Sequence, residues 1–450
     1  MNKIIFLKII LINVIIAQTS VKIYNQGWGL IQEERYKKFN KIEEQTLLIT
    51  NLPKNIEPSS VILFSNEIEF ISKQYIHNPI SIRSMLNENI NNNIELIKYN
   101  DEGIIIFSTI GKLISNYNKP IFEIDGNIVI DPPYEYRFTS IPKNINDDPY
   151  IKCLIKNISN DSKYNLSYLT SGINWIANYN IFLKSDEMID LEGWYYIKND
   201  NNKNYNKVDV SLVSGNINFL SNSSNQWKPN NKSMLRSASI INDNQVPEIE
   251  NLENYKLYKI QKKITIPANN ETQFKFLNKN NVPFNYVYHI SHSYSRNYRT
   301  IPKEKIPVSV RMEISSADLG DFQIPKGKYS VYEKNNDELI FVGSALQNII
   351  SEDNILKLET GESHDILCEF ILQKFQIDNK TTKIELEAIF QNKKNKPVNI
   401  KWIESFSDGN WEITNASHKY KQLDAYRIEF SINIPANSNQ KNNLSAKIKY

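Results

Sequence analysis

Lys207-Val208-Asp209-Val210-Ser211-Leu212-Val213 is apolar at alternate positions, rich in β-branched residues, and bounded by Asn206 and Gly215. A period of two marks a strand with one buried face, because successive side chains of an extended chain point to opposite sides. Outward from it, the pattern returns in Tyr426-Arg427-Ile428-Glu429-Phe430-Ser431-Ile432. Shorter apolar runs, Ile104-Ile105-Ile106-Phe107 and Asn127-Ile128-Val129-Ile130, sit between Asn, Asp, Gly and Pro turns. Helical periodicity is confined to Ile80 to Asn91, where Ile82, Met85, Leu86 and Ile90 share a face. These features predict an all-β, multidomain chain.

A chain of 450 residues has room for about two to four domains. The stretch 221–254 is rich in Ser, Asn and Pro without a sustained period, and reads as a polar insertion. Proline and charged residues cluster at Pro142 to Pro149 and at Thr300 to Pro307. The expected division is an N-terminal β domain over 21–145, a β-sandwich over 150–290 carrying the insertion, and a C-terminal β-sandwich over 305–450. The last two look like tandem versions of an immunoglobulin-like module. Asn157 aligns with Asn392, Trp175 with Trp411, and Ile266-Pro267-Ala268-Asn269 with Ile434-Pro435-Ala436-Asn437. Convergence of Asn-rich turns is the competing explanation. Leu444, Ala446, Ile448 and Tyr450 alternate toward the end of the chain. They are expected to close the third domain rather than a membrane barrel, because strands along the chain are short and irregularly spaced.

Residues 1–17 read as a secretory signal, with Lys3 and Lys8 ahead of the apolar run Ile9 to Ile16 and a small residue, Ala17, at the cleavage point. The run is shorter than the roughly 20 residues that span a bilayer, and no other segment reads as a transmembrane helix. Loss of Lys3 and Lys8 takes the formal net charge from +3 to +1. A near-neutral chain lacks the basic face that phosphates require, so no nucleic-acid partner is expected. The chain is expected to be exported, to the periplasm or the cell surface. Asn makes up about one residue in seven, far above ordinary usage, which fits an AT-rich genome rather than a functional signal. Cys153 and Cys368 each alternate in phase with apolar neighbours and are expected to be separate buried thiols.

Tyr168-Leu169-Thr170-Ser171-Gly172-Ile173-Asn174-Trp175-Ile176-Ala177-Asn178-Tyr179 resembles the central motif of the bacterial family called domain of unknown function 4139. That domain also forms the C-terminal half of proteins similar to mucoidy inhibitor A. Supporting matches run along the chain in order: Asn25 to Ile31 with Glu34-Arg35, Asn51-Leu52-Pro53, Leu191-Glu192-Gly193-Trp194, Leu212 to Asn218, Ile324-Pro325-Lys326-Gly327 with Val331-Tyr332, and Ile434-Pro435-Ala436. The residues singled out are Tyr168, Thr170, Gly172, Trp175, Ala177 and Tyr179, in structural roles. Such proteins usually carry an acidic, His-containing segment where this chain reads Ser344-Ala345-Leu346-Gln347-Asn348 after Gly343. The resemblance implies a cell-envelope protein of β-sandwich type and no known reaction.

The chain has five histidines. His289 and His292 lie in an alternating run, where a spacing of three puts them on opposite faces and prevents joint chelation. With 13 glycines there is no phosphate-cradling loop or dinucleotide fingerprint, and no nucleophile-elbow or zinc-protease pattern occurs. Asp200 to Asp209, with Asn202, Asn204 and Asn206, lacks the glycine and closing Glu of a calcium loop and reads as a hairpin tip. Glu33-Glu34 and Asp147-Asp148 are neighbours rather than facing carboxylates. Neither catalytic nor metal residues nor a cofactor are expected. The expected function is non-enzymatic binding of another envelope component, or self-association. The competing class is an envelope polysaccharide hydrolase with a carboxylate pair assembled from distant strands.

Overall fold

The computed structural model describes residues 15–39, 43–215, 217–219, 248–252, 255–294, 301–320, 324–335, 338–347, 354–376, 380–406 and 410–449. Nearly every element is a strand. In chain order the first are β1 (Ile15–Tyr24), β2 (Trp28–Lys38), β3 (Glu44–Ile49), β4 (Ile62–Phe64), β5 (Ile68–Asn78), β6 (Asn93–Tyr99), β7 (Ile105–Ser115), β8 (Ile121–Ile124), β9 (Asn127–Ile130) and β10 (Glu135–Arg137). Next come β11 (Asn146–Asn157), β12 (Asp161–Ser171), β13 (Ile173–Leu183), β14 (Met188–Asn199), β15 (Tyr205–Ser214), β16 (Glu248–Leu252), β17 (Tyr255–Ile266), β18 (Asn270–Pro283), β19 (Asn285–Tyr294) and β20 (Ile301–Ser315). The last are β21 (Gly327–Asn335), β22 (Glu338–Gln347), β23 (Ile355–Gln376), β24 (Thr381–Asn392), β25 (Val398–Phe406), β26 (Asn410–Ala416), β27 (Tyr420–Gln422), β28 (Arg427–Ile434) and β29 (Ser438–Lys449). The all-β architecture of stacked sheets is as the alternation predicts.

The helical period at Ile80 to Asn91 yields one short helix, α1 (Ile82–Asn87), started by a Ser81 hydroxyl that accepts from the Ser84 backbone N–H. Of the expected 221–254 insertion, 221–247, 253 and 254 lie outside the described residues. Glu248–Leu252, expected to be loop, is a strand paired with β17.

The chain forms two compact units. One takes residues 1–175, 197–235 and 247–272, and the other 176–196, 236–246 and 273–450. The sheets run β16-β17-β15-β1-β2-β12-β4, β10-β6-β7-β8-β9, β3-β11-β5, β18-β14-β13-β21-β22, and β26-β29-β24-β23-β20-β19-β25-β28-β27. Pairing crosses the sequence boundary near 145–150: β2 lies beside β12, and β11 lies between β3 and β5. The second unit is centred on a continuous core that includes Trp402, Phe370, Phe390, Phe430, Ile384 and Ile448. Leu444, Ala446 and Ile448 lie on β29, paired on both sides by β24 and β26, and Tyr450 lies outside the described residues.

One four-strand order occurs twice. β17-β15-β1-β2 and β28-β25-β19-β20 share their sequence of pairings, antiparallel, parallel, antiparallel. The three-strand orders β18-β14-β13 and β29-β24-β23 correspond likewise.

The corners after β14 and β24 share their main hydrogen bonds, and Asn392 Nδ2 adds a longer one to Ile434 O (3.2 Å). Asn199 Nδ2 donates to Lys203 O (3.0 Å) and Pro267 O (2.9 Å), and its Oδ1 accepts from Asn201 N (3.1 Å). Asn392 Nδ2 donates to Lys396 O (2.9 Å) and Pro435 O (2.9 Å), and its Oδ1 accepts from Lys394 N (2.9 Å). Asp200 N donates to Gly172 O and Lys393 N to Asp365 O, while Asn269 N donates to Asn201 O and Asn437 N to Lys394 O. Asn269 and Asn437 both take positive φ, +50° and +49°, a region Asn tolerates better than most residues. The counterpart of Asn392 is therefore Asn199, not Asn157. Asn157 serves a different turn, accepting from Gln45 Nε2 and donating to Ser159 O. The tryptophan alignment shifts too: counting from Gly172 and Asp365, Cys368 stands at the Trp175 position, and Trp411 lies on β26.

Candidate functional site

Strand β2 carries charge on the face where a strand normally carries its apolar set. Gly29, Ile31, Glu33 and Arg35 all point inward, and Gln32, Glu34 and Tyr36 point outward. Beneath the sheet, Glu33 Oε2 accepts from Arg35 Nε (2.8 Å) and Nη2 (2.5 Å), and Oε1 accepts from Lys203 Nζ (2.5 Å). Lys203 Nζ also donates to Asn51 O (2.8 Å) and Tyr168 Oη (3.1 Å), and Arg35 Nη1 donates to Thr50 O (2.8 Å). The ammonium lies over the rings of Tyr168 (5.7 Å) and Tyr205 (5.6 Å), a cation–π arrangement. All three ions are almost wholly buried.

Burial alone raises a carboxyl pKa and lowers an ammonium pKa. Burial pushes Glu33 up, but Lys203 and Arg35 together outweigh it and hold the carboxyl below its usual range. Burial pushes Lys203 down to about 8, since Glu33 opposes the shift while Arg35 adds to it. Glu33 has two cations to stabilise its charge; Lys203 has one anion and one competing cation. Burial likewise pushes the Tyr205 and Tyr168 hydroxyls well up. The cluster ties the segment at Thr50 and Asn51 to β2 and to the Asn199 corner.

The other face of the same strands forms an open cleft of about 210 Å³, lined by Gln18, Ser20, Gln32, Glu33, Glu34, Phe64, Asn165, Leu166 and Ser167. Register places the outward side chains of this lining, with Ile62, in two cross-strand rows, while Glu33 and Leu166 point to the inner face. Gln18, Glu34, Asn165 and Phe64 form one, and Ser20, Gln32, Ser167 and Ile62 the other. Gln32 Oε1 accepts from Lys22 Nζ (2.6 Å) and Ser20 Oγ (3.4 Å). Glu34 is ion-paired with Lys163 and accepts from Tyr36 Oη (3.1 Å), and the bond from Lys163 leads in holding its carboxyl below the usual range. Phe64 and Ile62 project apolar surface at one side, 57% and 60% exposed. Glu33 and Glu34 face opposite sides of the sheet, so they do not form a carboxylate pair across the cleft.

The six motif residues are spread along β12 and β13. Tyr168 joins the ionic cluster, and Thr170 Oγ1 lies 3.4 Å from Asn201 Oδ1. Gly172 takes φ +79°, where an added Cβ would come 2.9 Å from Asn55 Nδ2. Trp175 Nε1 donates to Val213 O (3.1 Å) and its ring meets Tyr258 edge-on. Tyr179 Oη donates to Pro325 O (2.8 Å), and its ring stacks on Tyr329 at 4.3 Å. A Cβ at Gly327 would sit 2.2 Å from Ala177 O, so Ala177 and Gly327 form a close backbone contact. Tyr179 and the Ile324-Pro325-Lys326-Gly327 stretch, far apart in sequence, thus meet. The asparagines of 200–209 staple the corner: Asn201 Nδ2 donates to Ser171 O, Asn202 Oδ1 accepts from Lys54 N, and Asn204 Oδ1 accepts from Ala268 N.

His289 pairs with Glu359 (2.7 Å), while His292 is buried against Glu404 (2.8 Å) on the parallel strand β25. Trp402 Nε1 donates to the same carboxylate (3.1 Å), and Phe370 stacks on the imidazole at 4.8 Å. Burial lowers the His292 pKa, but Glu404 reverses this and the net shift is upward. Among the described residues no three His, Cys, Asp or Glu side chains gather as a metal site. Cys153 and Cys368 are free buried thiols, and burial pushes Cys153 up to about 11. Sequence reading named Glu33 only as a neighbour of Glu34 and Arg35 only in a supporting match, and it missed the buried cluster they form with Lys203. The available signal was two charges in the apolar phase of an alternating strand. No family model matches the chain, and no curated protein matches it.

Proposed function

We propose that this is an exported cell-envelope protein that binds another envelope component, or a second copy of itself, and catalyses no reaction. The observation that carries this reading is the cleft on the outer face of the seven-stranded sheet. It offers hydrogen-bonding side chains in two ordered rows on a backbone braced from below by the Glu33–Arg35–Lys203 cluster. Binding sites gain precision when they sit on rigid strands supported by packed neighbours. The one carboxylate facing the cleft, Glu34, is occupied by Lys163 and Tyr36.

Export belongs to the same proposal. The ladder between β1 and β2 shifts register between Ile16 and Gln18, at the expected cleavage point, and is regular from Gln18 to Tyr24. Cleavage after Ala17 would leave that regular ladder intact, and the amino terminus of protein recovered from intact cells should be Gln18. The membership suggested by the Tyr168 to Tyr179 motif, in the domain of unknown function 4139 family, is part of this reading. The deciding experiment is a crosslinking pull-down from intact cells run beside a polysaccharide-cleavage screen. Specific capture without turnover supports binding. Cleavage that disappears in a single-carboxylate variant such as Glu34→Gln overturns it in favour of a hydrolase.

A further inference from the structure

The chemistry of the cleft also points to a ligand class. We infer that it takes a short segment of uncharged glycan, an inference that rests on the binding reading above. Three features select this ligand. First, the polar lining is made of primary amides and hydroxyls: Gln18, Gln32, Asn165, Ser20 and Ser167. Each can donate and accept, which suits a hydroxyl that does both. The Asn165 and Ser167 side chains make no hydrogen bond among the described residues, and Gln32 uses only its oxygen, leaving donors for a ligand.

Second, the site carries little charge that is free for a ligand. Glu34 is bound by Lys163 and Tyr36, and Lys22 donates to Gln32. A phosphate or uronate would meet a single ammonium already hydrogen-bonded to the lining, without the cluster of cations such anions need, and an amine would find Glu34 occupied. Third, Phe64 and Ile62 flank the polar rows with exposed apolar surface. A sugar ring presents hydroxyls at its edge and C–H bonds on its face, so it matches a polar row beside an aromatic ring. The cleft is open and smaller than the roughly 300–1,000 Å³ of an enclosed small-molecule pocket. That suits part of a chain that continues into solvent.

The test uses the full chain purified after export. It is screened on an array of defined neutral oligosaccharides, and hits are measured by affinity electrophoresis in gels containing the soluble neutral glucan or mannan they represent. The expected result is retardation that falls about tenfold or more in Phe64→Ala and in Asn165→Ala, as loss of one stacking or hydrogen-bonding partner implies. Lys421→Ala, on β27 and outside the cleft lining, should leave retardation unchanged. Raising salt from about 50 to about 500 mM should change it less than about twofold, because no ion pair forms with the ligand. Circular dichroism of each variant separates lost binding from lost folding. For either variant that unfolds, Gln32→Ala takes its place.

The inference is overturned if no neutral glycan is retained, if both cleft variants bind as well as the parent, or if only acidic polysaccharide binds and salt abolishes it. Absence of glycan binding together with specific capture of a protein partner in the crosslinking experiment defeats this inference and leaves the binding reading intact. Glycan cleavage defeats the binding reading itself.

Discussion

The corner at Asn199 and the corner at Asn392 share the bonds that fix their backbones and differ in where the following lysine goes. Lys203 turns into the interior and joins Glu33 and Arg35. Lys396 turns outward and pairs with Asp186, which is 71% exposed. The array beside the second corner has no need of a buried ammonium. Ile264 and Ile432, two residues before the matched Ile266 and Ile434, pair with Val208 and Ile400, and the parallel ladders then set Thr19 level with Tyr288. Thr19 lies opposite Glu33 on β2 and Tyr288 opposite Val310 on β20, so Val310 stands where Glu33 does, and two residues on Met312 takes the Arg35 place. The second array buries its charge elsewhere. His292 and Glu404 pair across the parallel strands at the position occupied in the first by Ile23 and Leu212. The backbone of this module thus depends on the asparagine corner and the strand order. Which pair of interior positions carries ions is free to change, provided the charges are satisfied together.

The largest effect should come from breaking the first cluster on one side. Glu33→Val leaves Arg35 and Lys203 buried without their anion, and stability should fall by about 3–5 kcal/mol in urea unfolding followed by tryptophan fluorescence. Next come the corners. Asn199→Ala and Asn392→Ala each remove one amide that serves several backbone groups, and each should cost about 1–3 kcal/mol, by similar amounts because the bonds match. A large cost at one corner and none at the other would break the equivalence.

The two ionic sites should also carry opposite pH signatures. Lys203 titrates near 8 when folded and near 10.4 when unfolded, so between those values the unfolded chain holds the extra proton and stability rises with pH. Lys203→Met should remove that rise. His292 has its folded value raised, so its contribution is full below the unfolded value near 6.5 and is lost as pH climbs through the folded one. His292→Leu should flatten that loss. Hydrogen exchange of peptides from β15 and β25, followed against pH, reads the two separately. The smallest effect belongs to Lys396→Met, expected to stay within about 0.5 kcal/mol of the parent because its partner is largely solvated.

The alternation made the fold class legible, since a period of two needs no tertiary information. Ile434-Pro435-Ala436-Asn437 and its earlier copy also marked real equivalents, because the αL asparagine and the proline are local requirements of the corner. The amide that anchors that corner was misassigned. Asn-rich turns offered Asn157, although Asn199-x-x-Asn202-Lys203 and Asn392-x-x-Asn395-Lys396 share a pattern that Asn157 lacks. Other features had no local signal. Ile104-Ile105-Ile106-Phe107 is apolar throughout, yet each residue is more than two-fifths exposed, since nothing in a four-residue run says whether another layer covers it. Glu33 and Arg35 are intelligible only once Lys203, 170 residues away from Glu33, is brought to them. The cleft depends on which strands become neighbours: β1 beside β2, β2 beside β12, and β12 beside β4. Pairings across such separations are set by the global topology.

The claim that the two arrays are one module with relocated charge is tested most directly by removing the first cluster's charges together, with the second array's Val and Met at positions 33 and 35 and a neutral Met at 203. The triple variant Glu33→Val, Arg35→Met, Lys203→Met should recover at least about half of the 3–5 kcal/mol lost in Glu33→Val alone, because it removes the stranded cations along with their anion. The unpaired carbonyls of Thr50 and Asn51 account for the part not recovered. Urea unfolding of the parent, the single variant and the triple variant measures this in one series. A triple variant as unstable as Glu33→Val, or less stable, would mean that the ionic cluster is indispensable to this array and that the two are not interchangeable forms of one module.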